Sequence, residues 1–151
     1  LSNVYGPGDD SPQAVSEACQ RVLAADADDH LDVRQPFKRL VPVYMGDICR
    51  SFVRAASLEM PAGQRPLFTV ASQKGYMRED ELLRRVADVV NDIRGTNVDY
   101  DIEELPPEQS PGFVYDLSKM HEYLLSEEEV TPFKEGVRTY ILWLMDHLNI
   151  D

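Results

Sequence analysis

The side chains in this sequence that could do chemistry are three histidines, two cysteines, several carboxylate runs and one tyrosine–lysine pair. His30, His121 and His147 are scattered, and none stands four residues from another histidine or near Cys19 or Cys49. A zinc site needs three or four such ligands converging, so no metal site is assigned, and the three histidines read as surface or rim residues. Two cysteines without a Cys-x-x-Cys spacing make neither a disulfide framework nor a redox motif. Carboxylate runs include Asp26, Asp28 and Asp29; Asp99 and Asp101; and Glu127, Glu128 and Glu129. General acid–base pairs need pockets that shift their pKa values, whereas these runs fall on turns and strand faces screened by water. Tyr115 and Lys119 have the spacing at which a lysine one helical turn away lowers a phenol's pKa and lets it move a proton. Tyr115, however, directly precedes Asp116, which reads as a helix cap, so the two need not share a helix face.

The elements that would position any site alternate between helix and short strand. Ser11 and Pro12 predict a helix start, followed by an apolar stripe of Val15, Ala18, Cys19 and Val22 that runs out at Asp26–Asp29. Leu31 and Val33 alternate as a brief strand. A second apolar run spans Leu40 to Met45, where Pro42 restricts it to an edge or a bulge. Asp47 is expected to cap a helix buried through Ile48, Phe52, Ala55 and Ala56, ending at Pro61-Ala62-Gly63. Leu67 to Ala71 reads as a buried strand. Glu79 to Ile93 is the clearest helix, with Leu82, Val86, Val89, Val90 and Ile93 on one face and Gly95 at its C-terminal cap. Val98, Tyr100 and Ile102 alternate with acids as a half-buried strand. After a proline-rich loop at 106–112, Asp116 caps a helix carrying Met120, Tyr123 and Leu124. Thr131-Pro132 opens the last helix, buried through Phe133, Val137, Ile141, Leu144 and Leu148. This pattern predicts an α/β fold: one small domain over residues 1–151, with about five helices and a few short strands. So few strands would leave bare edges, and they are expected to complete a larger sheet outside this sequence.

Composition narrows the function. With 15 Lys+Arg against 27 Asp+Glu in 151 residues, the net charge is −12. Such a surface repels a polyanion, so nucleic acid is not an expected partner. No apolar run reaches the roughly 18–20 residues of a membrane span, so no membrane association is expected either. A soluble protein of a reducing compartment, most simply the cytoplasm, is the expectation. Gly6-Pro7-Gly8 lacks the third glycine of a dinucleotide-binding turn and puts proline where a donor N–H is wanted. The opening Leu1-Ser2-Asn3-Val4-Tyr5-Gly6-Pro7-Gly8 reads as the exit of a strand that precedes it, as in a fragment.

An ordered set of segments resembles the extended short-chain dehydrogenases, the NAD-dependent nucleotide-sugar epimerase/dehydratase family. Leu1 to Asp9 is similar to the strand exit that follows that family's catalytic helix. Val43-Tyr44-Met45-Gly46-Asp47-Ile48, with Phe52 to Ala56, resembles its next strand–helix junction. Leu67 to Ser72 and the helix from Tyr76 to Val90 follow in family order, as do Tyr115 to Lys119 and the closing Phe133 to Leu144. Together they span essentially the whole chain and resemble only the C-terminal, substrate-binding half, which normally completes a Rossmann-type sheet. The family's catalytic pair precedes the Asn-Val-Tyr-Gly-Pro segment, so Tyr115 and Lys119 are not that pair and no catalytic residue is assigned.

The resemblance implies that Asn3 and Arg39 face the diphosphate of a nucleotide-sugar and that Val33 flanks its base. A side-chain amide and a guanidinium fork suit phosphate oxygens. It implies that Leu1 and Ser2 border the nicotinamide of NAD or NADP held by the missing Rossmann domain, with no cofactor bound by this chain alone. The family commonly pairs as homodimers, through helices of that other half. Two departures stand out. Gln35-Pro36-Phe37 replaces a Gly-Asp-Gly turn, and Pro106-Pro107-Glu108-Gln109 stands where a second phosphate-binding arginine is expected. They leave two readings open: the substrate-binding part of an epimerase, dehydratase or ketoreductase, inactive without its cofactor half, or a stand-alone, non-enzymatic binding module derived from one.

Overall fold

A computed structural model of the chain describes residues 3–59, 63, 66–72, 76–107 and 113–150. Among these are four two-residue strands and five α-helices. Strand β1 (Val4–Tyr5) leads to helix α1 (Ala14–Ala24), and β2 (His30–Leu31) to β3 (Val43–Tyr44) and α2 (Met45–Ser57). Helix α3 (Glu79–Arg94), strand β4 (Asp101–Ile102), helix α4 (Ser118–Tyr123), a 3-10 turn (Glu127–Glu129) and α5 (Phe133–Leu148) complete the order. The expected α/β architecture is therefore present, but the strands form two separate parallel pairs. β1 lies beside β3, with Val4 opposite Val43 and Tyr5 opposite Tyr44. β2 lies beside β4, with His30 opposite Asp101 and Leu31 opposite Ile102.

The longest helices follow their apolar periodicity. α3 buries Leu82, Leu83, Val86, Val89 and Val90 against α1 and α5. Gly95 ends it at φ +64°, a conformation that costs a side-chain-bearing residue and suits glycine. α1 contributes Val15, Cys19 and Val22, and α5 contributes Val137, Tyr140, Ile141 and Leu144 to the same core. A smaller cluster joins Val41, Val43, Ile48, Ala71, Leu117, Met120 and Leu124.

Several expectations need correcting. α1 starts at Ala14 with Gln13 at its cap, because the Ser11 N–H and hydroxyl turn back to Asp9 instead. Residues 67–71 form no strand: they pair with nothing in a ladder, and Leu67 is 85% exposed. An apolar run without a hydrogen-bonding neighbour stays irregular whatever its propensity. α2 begins at Met45, which places Asp47 inside its first turn rather than at its cap. Its buried stripe is Asp47, Ile48 and Ser51, which rotates Phe52 outward to 64% exposure. Tyr123 and Leu148 are also largely exposed, at the ends of their helices. Val33 lies beyond β2 rather than within it.

Gly136 sits where α5 crosses the β1–β3 pair. A Cβ there would overlap the buried Tyr5 hydroxyl and stand 3.2 Å from the Tyr44 ring. The Tyr5 ring is wedged among Tyr44, Phe133 and Tyr140, so its hydroxyl cannot swing aside. Gly136→Ala gains about 1 kcal/mol of helix propensity but overpacks by more. A net loss of about 1–2 kcal/mol is expected, read as a lower urea midpoint at unchanged slope.

Arg54 reaches from α2 to the 3-10 turn, where its guanidinium grips both carboxylate oxygens of Glu129 and the Leu124 carbonyl. Glu129 also accepts the Ser126 N–H (2.9 Å) and hydroxyl (3.0 Å). The Arg54 bond, with the Ser126 donors behind it, holds the Glu129 carboxyl down at about 2. A depressed carboxyl stabilises the fold above its unfolded pKa and loses that contribution as pH falls through the folded value. Glu129 should thus titrate near pH 2 by NMR, and Arg54→Gln should return it toward the ordinary range.

Candidate functional site

Loops at the carboxyl ends of parallel strands are where ligands commonly sit in α/β proteins, because the chain there leaves its ladder and turns polar groups outward. β2 and β4 both end this way. The ladder extends one bond further, from the Glu103 N–H to the Leu31 carbonyl (3.0 Å), before the two chains open into residues 32–40 and 103–107. There the Glu103 carboxylate accepts the Val33 N–H at 2.7 Å. Val33 is half-buried against this corner.

Arg39 sits near the end of the first loop. Its neighbour Leu40 exchanges two backbone bonds with Met77 (2.9 and 2.8 Å), which sets the loop beside the segment leading into α3. That pairing brings the Arg39 guanidinium over the Tyr76 ring, 5.1 Å from its centroid. Tyr76 continues into an aromatic row with Phe113 (5.4 Å) and Tyr115 (5.2 Å from Phe113). Asn3 heads β1, and its carbonyl accepts the Val43 N–H at 2.9 Å. Asn3 and the chain leading from Arg39 into β3 are thus joined at the amino end of the β1–β3 pair, whereas Val33 is fixed at the other pair, by Glu103. Leu1 and Ser2 lie outside the described residues.

The remaining candidate chemistry has structural partners. His30 Nδ1 lies 2.8 Å from Asp101, His121 Nδ1 lies 3.0 Å from the Leu125 carbonyl, and His147 stacks on Trp143 with centroids 4.7 Å apart. Among the described residues no three metal-ligating side chains converge. Tyr115 packs edge-on against Phe113 and lies ahead of α4, while Lys119 lies within that helix. An open groove of about 660 Å³ between α3 and β4 is lined by Asp88, Asp99, Asp101 and Glu104 against one cation, Arg84. Such a lining opposes phosphate. None of the described helices is long and apolar enough to cross a membrane.

Sequence reasoning missed three buried acids. Asp47, 1% exposed, bonds Thr131 as well as Arg50 of its own helix, and Glu79 and Asp80 at the head of α3 each bond a separate loop. Acids in a first turn are what the helix dipole favours anyway, so nothing local marked them as tertiary contacts.

No protein-family model matches the sequence, and no curated protein sequence matches it either. Solved structures do match in fold. The NAD-dependent NDP-hexosamine 5,6-dehydratase TunA of tunicamycin biosynthesis superposes over 96% of this chain and 44% of its own, at TM-score 0.64 and 18% identity. The *Thermotoga maritima* UDP-glucose 4-epimerase, solved with UDP-glucose, matches over 97% of this chain and 45% of its own, at TM-score 0.62 and 21% identity. This chain shares the fold of one part of these enzymes. The *Bordetella bronchiseptica* enzyme WbmF, solved with NADH, gives the same coverage pattern, 98% and 45%, at TM-score 0.66 and 17% identity. The chain therefore spans less than half the length of these solved enzymes, and the expected α/β class agrees with them.

Proposed function

We propose that this chain is the substrate-binding part of an NAD(P)-dependent nucleotide-sugar epimerase, dehydratase or ketoreductase. The observation that carries this reading is the match of nearly the whole chain to under half of an NAD-dependent NDP-hexosamine dehydratase and of a UDP-glucose 4-epimerase. Two physical features support it. Parallel strands are normally buried on both faces of larger sheets, so a two-stranded β1–β3 pair calls for further strands. Phe52 and Val53 on α2 are also exposed apolar surface of the kind a second domain covers.

In this reading Asn3 and Arg39 hold the diphosphate, Val33 flanks the base, and Leu1 and Ser2 border the nicotinamide. NAD(P), held outside this chain, would supply the hydride-transfer chemistry at a sugar hydroxyl carbon, which the residues here would only position. This chain does not fit the cofactor's pyrophosphate: the turn from β1 into α1 carries Asp9 and Asp10, and the Asp9 N–H is committed to the Gly6 carbonyl. The cofactor accordingly belongs to a Rossmann half, and the present residues bind and orient the sugar nucleotide.

The test is to isolate the native polypeptide with an antibody raised against this chain. A species of roughly twice this mass, carrying NAD(P) and turning over a UDP- or dTDP-sugar, is expected. A species of this chain's own mass with no affinity for nucleotide would support the other reading, a stand-alone binding module, which the exposed Phe37 and Leu67 favour.

A further inference from the structure

The first turn of α3 holds Glu79 and Asp80 side by side, 7% and 1% exposed. Buried carboxylates cost several kcal/mol each unless paired and hydrogen-bonded, so their partners show what they are for. Glu79 serves the loop after β2. One oxygen accepts the Gln35 N–H at 2.6 Å, and the other faces Arg21 at 3.4 Å. Arg21 in turn donates to the Asp32 carbonyl (2.6 Å) and carboxylate (2.8 Å). The loop is thereby pinned at Asp32 and Gln35, on both sides of Val33.

Asp80 serves the loop after β4. It accepts the Leu105 N–H at 3.4 Å and pairs with Arg78 at 2.6 Å. Arg78 donates to the carbonyls of Leu105 (3.2 Å) and Pro106 (2.5 Å). Burial works against the Asp80 charge, but Arg78 and the backbone donors outweigh it and hold the carboxyl below its usual range. The Val33–Glu103 bond then ties the two loops to each other. The positive end of the α3 dipole is already met by these two acids, so any phosphate must be held by side chains on the loops.

We infer that Glu79 and Asp80 are positioning residues for the nucleotide site, each fixing one of the two loops that leave β2 and β4. The inference rests on the nucleotide-sugar reading above, in which Val33 and Arg39 contact the ligand. Loops held in place before binding spare the ligand their ordering cost, which is where affinity is gained.

Isosteric Glu79→Gln and Asp80→Asn variants of this chain test it, by amide hydrogen exchange and UDP titration. Glu79→Gln should speed exchange at the amides of residues 33–35 and 37–39 at least tenfold, and Asp80→Asn should do so at those of Glu103, Glu104 and Leu105. In both, α1, α3 and α5 should keep their protection while the UDP Kd rises about tenfold. Should Asp80→Asn fail to fold, Arg78→Gln probes the same loop from its more exposed side. Exchange unchanged in the loops, exchange raised equally in the helices, or an unaltered Kd with loosened loops would each overturn the inference. If the wild-type chain binds no UDP while exchange stays loop-selective, the nucleotide reading falls and the clamp stands. Loops indifferent to both substitutions, with UDP still bound, would mean the reverse.

Discussion

Replacing Asp47 with alanine is expected to cost about 3 kcal/mol of stability. Its carboxylate is almost fully buried and receives the Thr131 N–H at 3.0 Å, the Thr131 hydroxyl at 2.7 Å and a contact from Arg50. Thr131 and Pro132 form the entry to α5, which supplies Val137, Tyr140, Ile141 and Leu144 to the main core. Asp47 itself lies in α2, beside the smaller core cluster. One side chain thus joins the two halves of the packing. Alanine leaves two Thr131 donors unsatisfied, each worth about 1–3 kcal/mol when buried. Arg50 is nearly half exposed and can turn to water, so its loss adds little. Asp47→Asn keeps one acceptor and should recover about half of the loss. Urea unfolding would report both as midpoint shifts at constant slope. A loss below about 1 kcal/mol would mean that water satisfies Thr131 in the variant.

The second large effect concerns binding. Arg39→Ala should weaken UDP binding by about 2 kcal/mol, roughly 30-fold, which is typical for removing one charged partner from a phosphate. Stability should fall by less than about 1 kcal/mol, the scale of a cation–π contact such as the one to Tyr76. Arg39→Lys should lie between, since it keeps the charge and loses the planar fork. Calorimetric titration distinguishes these outcomes. UDP affinity unchanged in Arg39→Ala would remove Arg39 from the site.

These two residues also mark how far the sequence can be read. Long amphipathic stripes made α3 and α5 plain, and Gly95 marked the end of α3, because those signals are local and repeat over several turns. The alternation at Val98, Tyr100 and Ile102 likewise predicted which side chains turn inward, although only Asp101 and Ile102 join a ladder. Strand pairing was not legible in the same way. Leu67 to Ala71 has the composition of a strand, but a strand exists only through a neighbour's hydrogen bonds, and the sequence does not say where that neighbour is. Asp47 was misread for a related reason. A carboxylate in a first turn fits the helix dipole, and a partner 84 residues away leaves no local trace. Phe52 shows the limit of periodicity itself: the α2 stripe is real but turned by one position, so Ser51 is buried in place of its aromatic neighbour.

The most direct measurement is a UDP titration of the isotope-labelled chain followed through its backbone amide signals. Saturable shifts centred on Asn3, Val33 and Arg39, spreading into residues 32–40 and 103–107, are the predicted result. No saturable shift, or shifts confined to the acidic groove between α3 and β4, would contradict a nucleotide-sugar site in this chain.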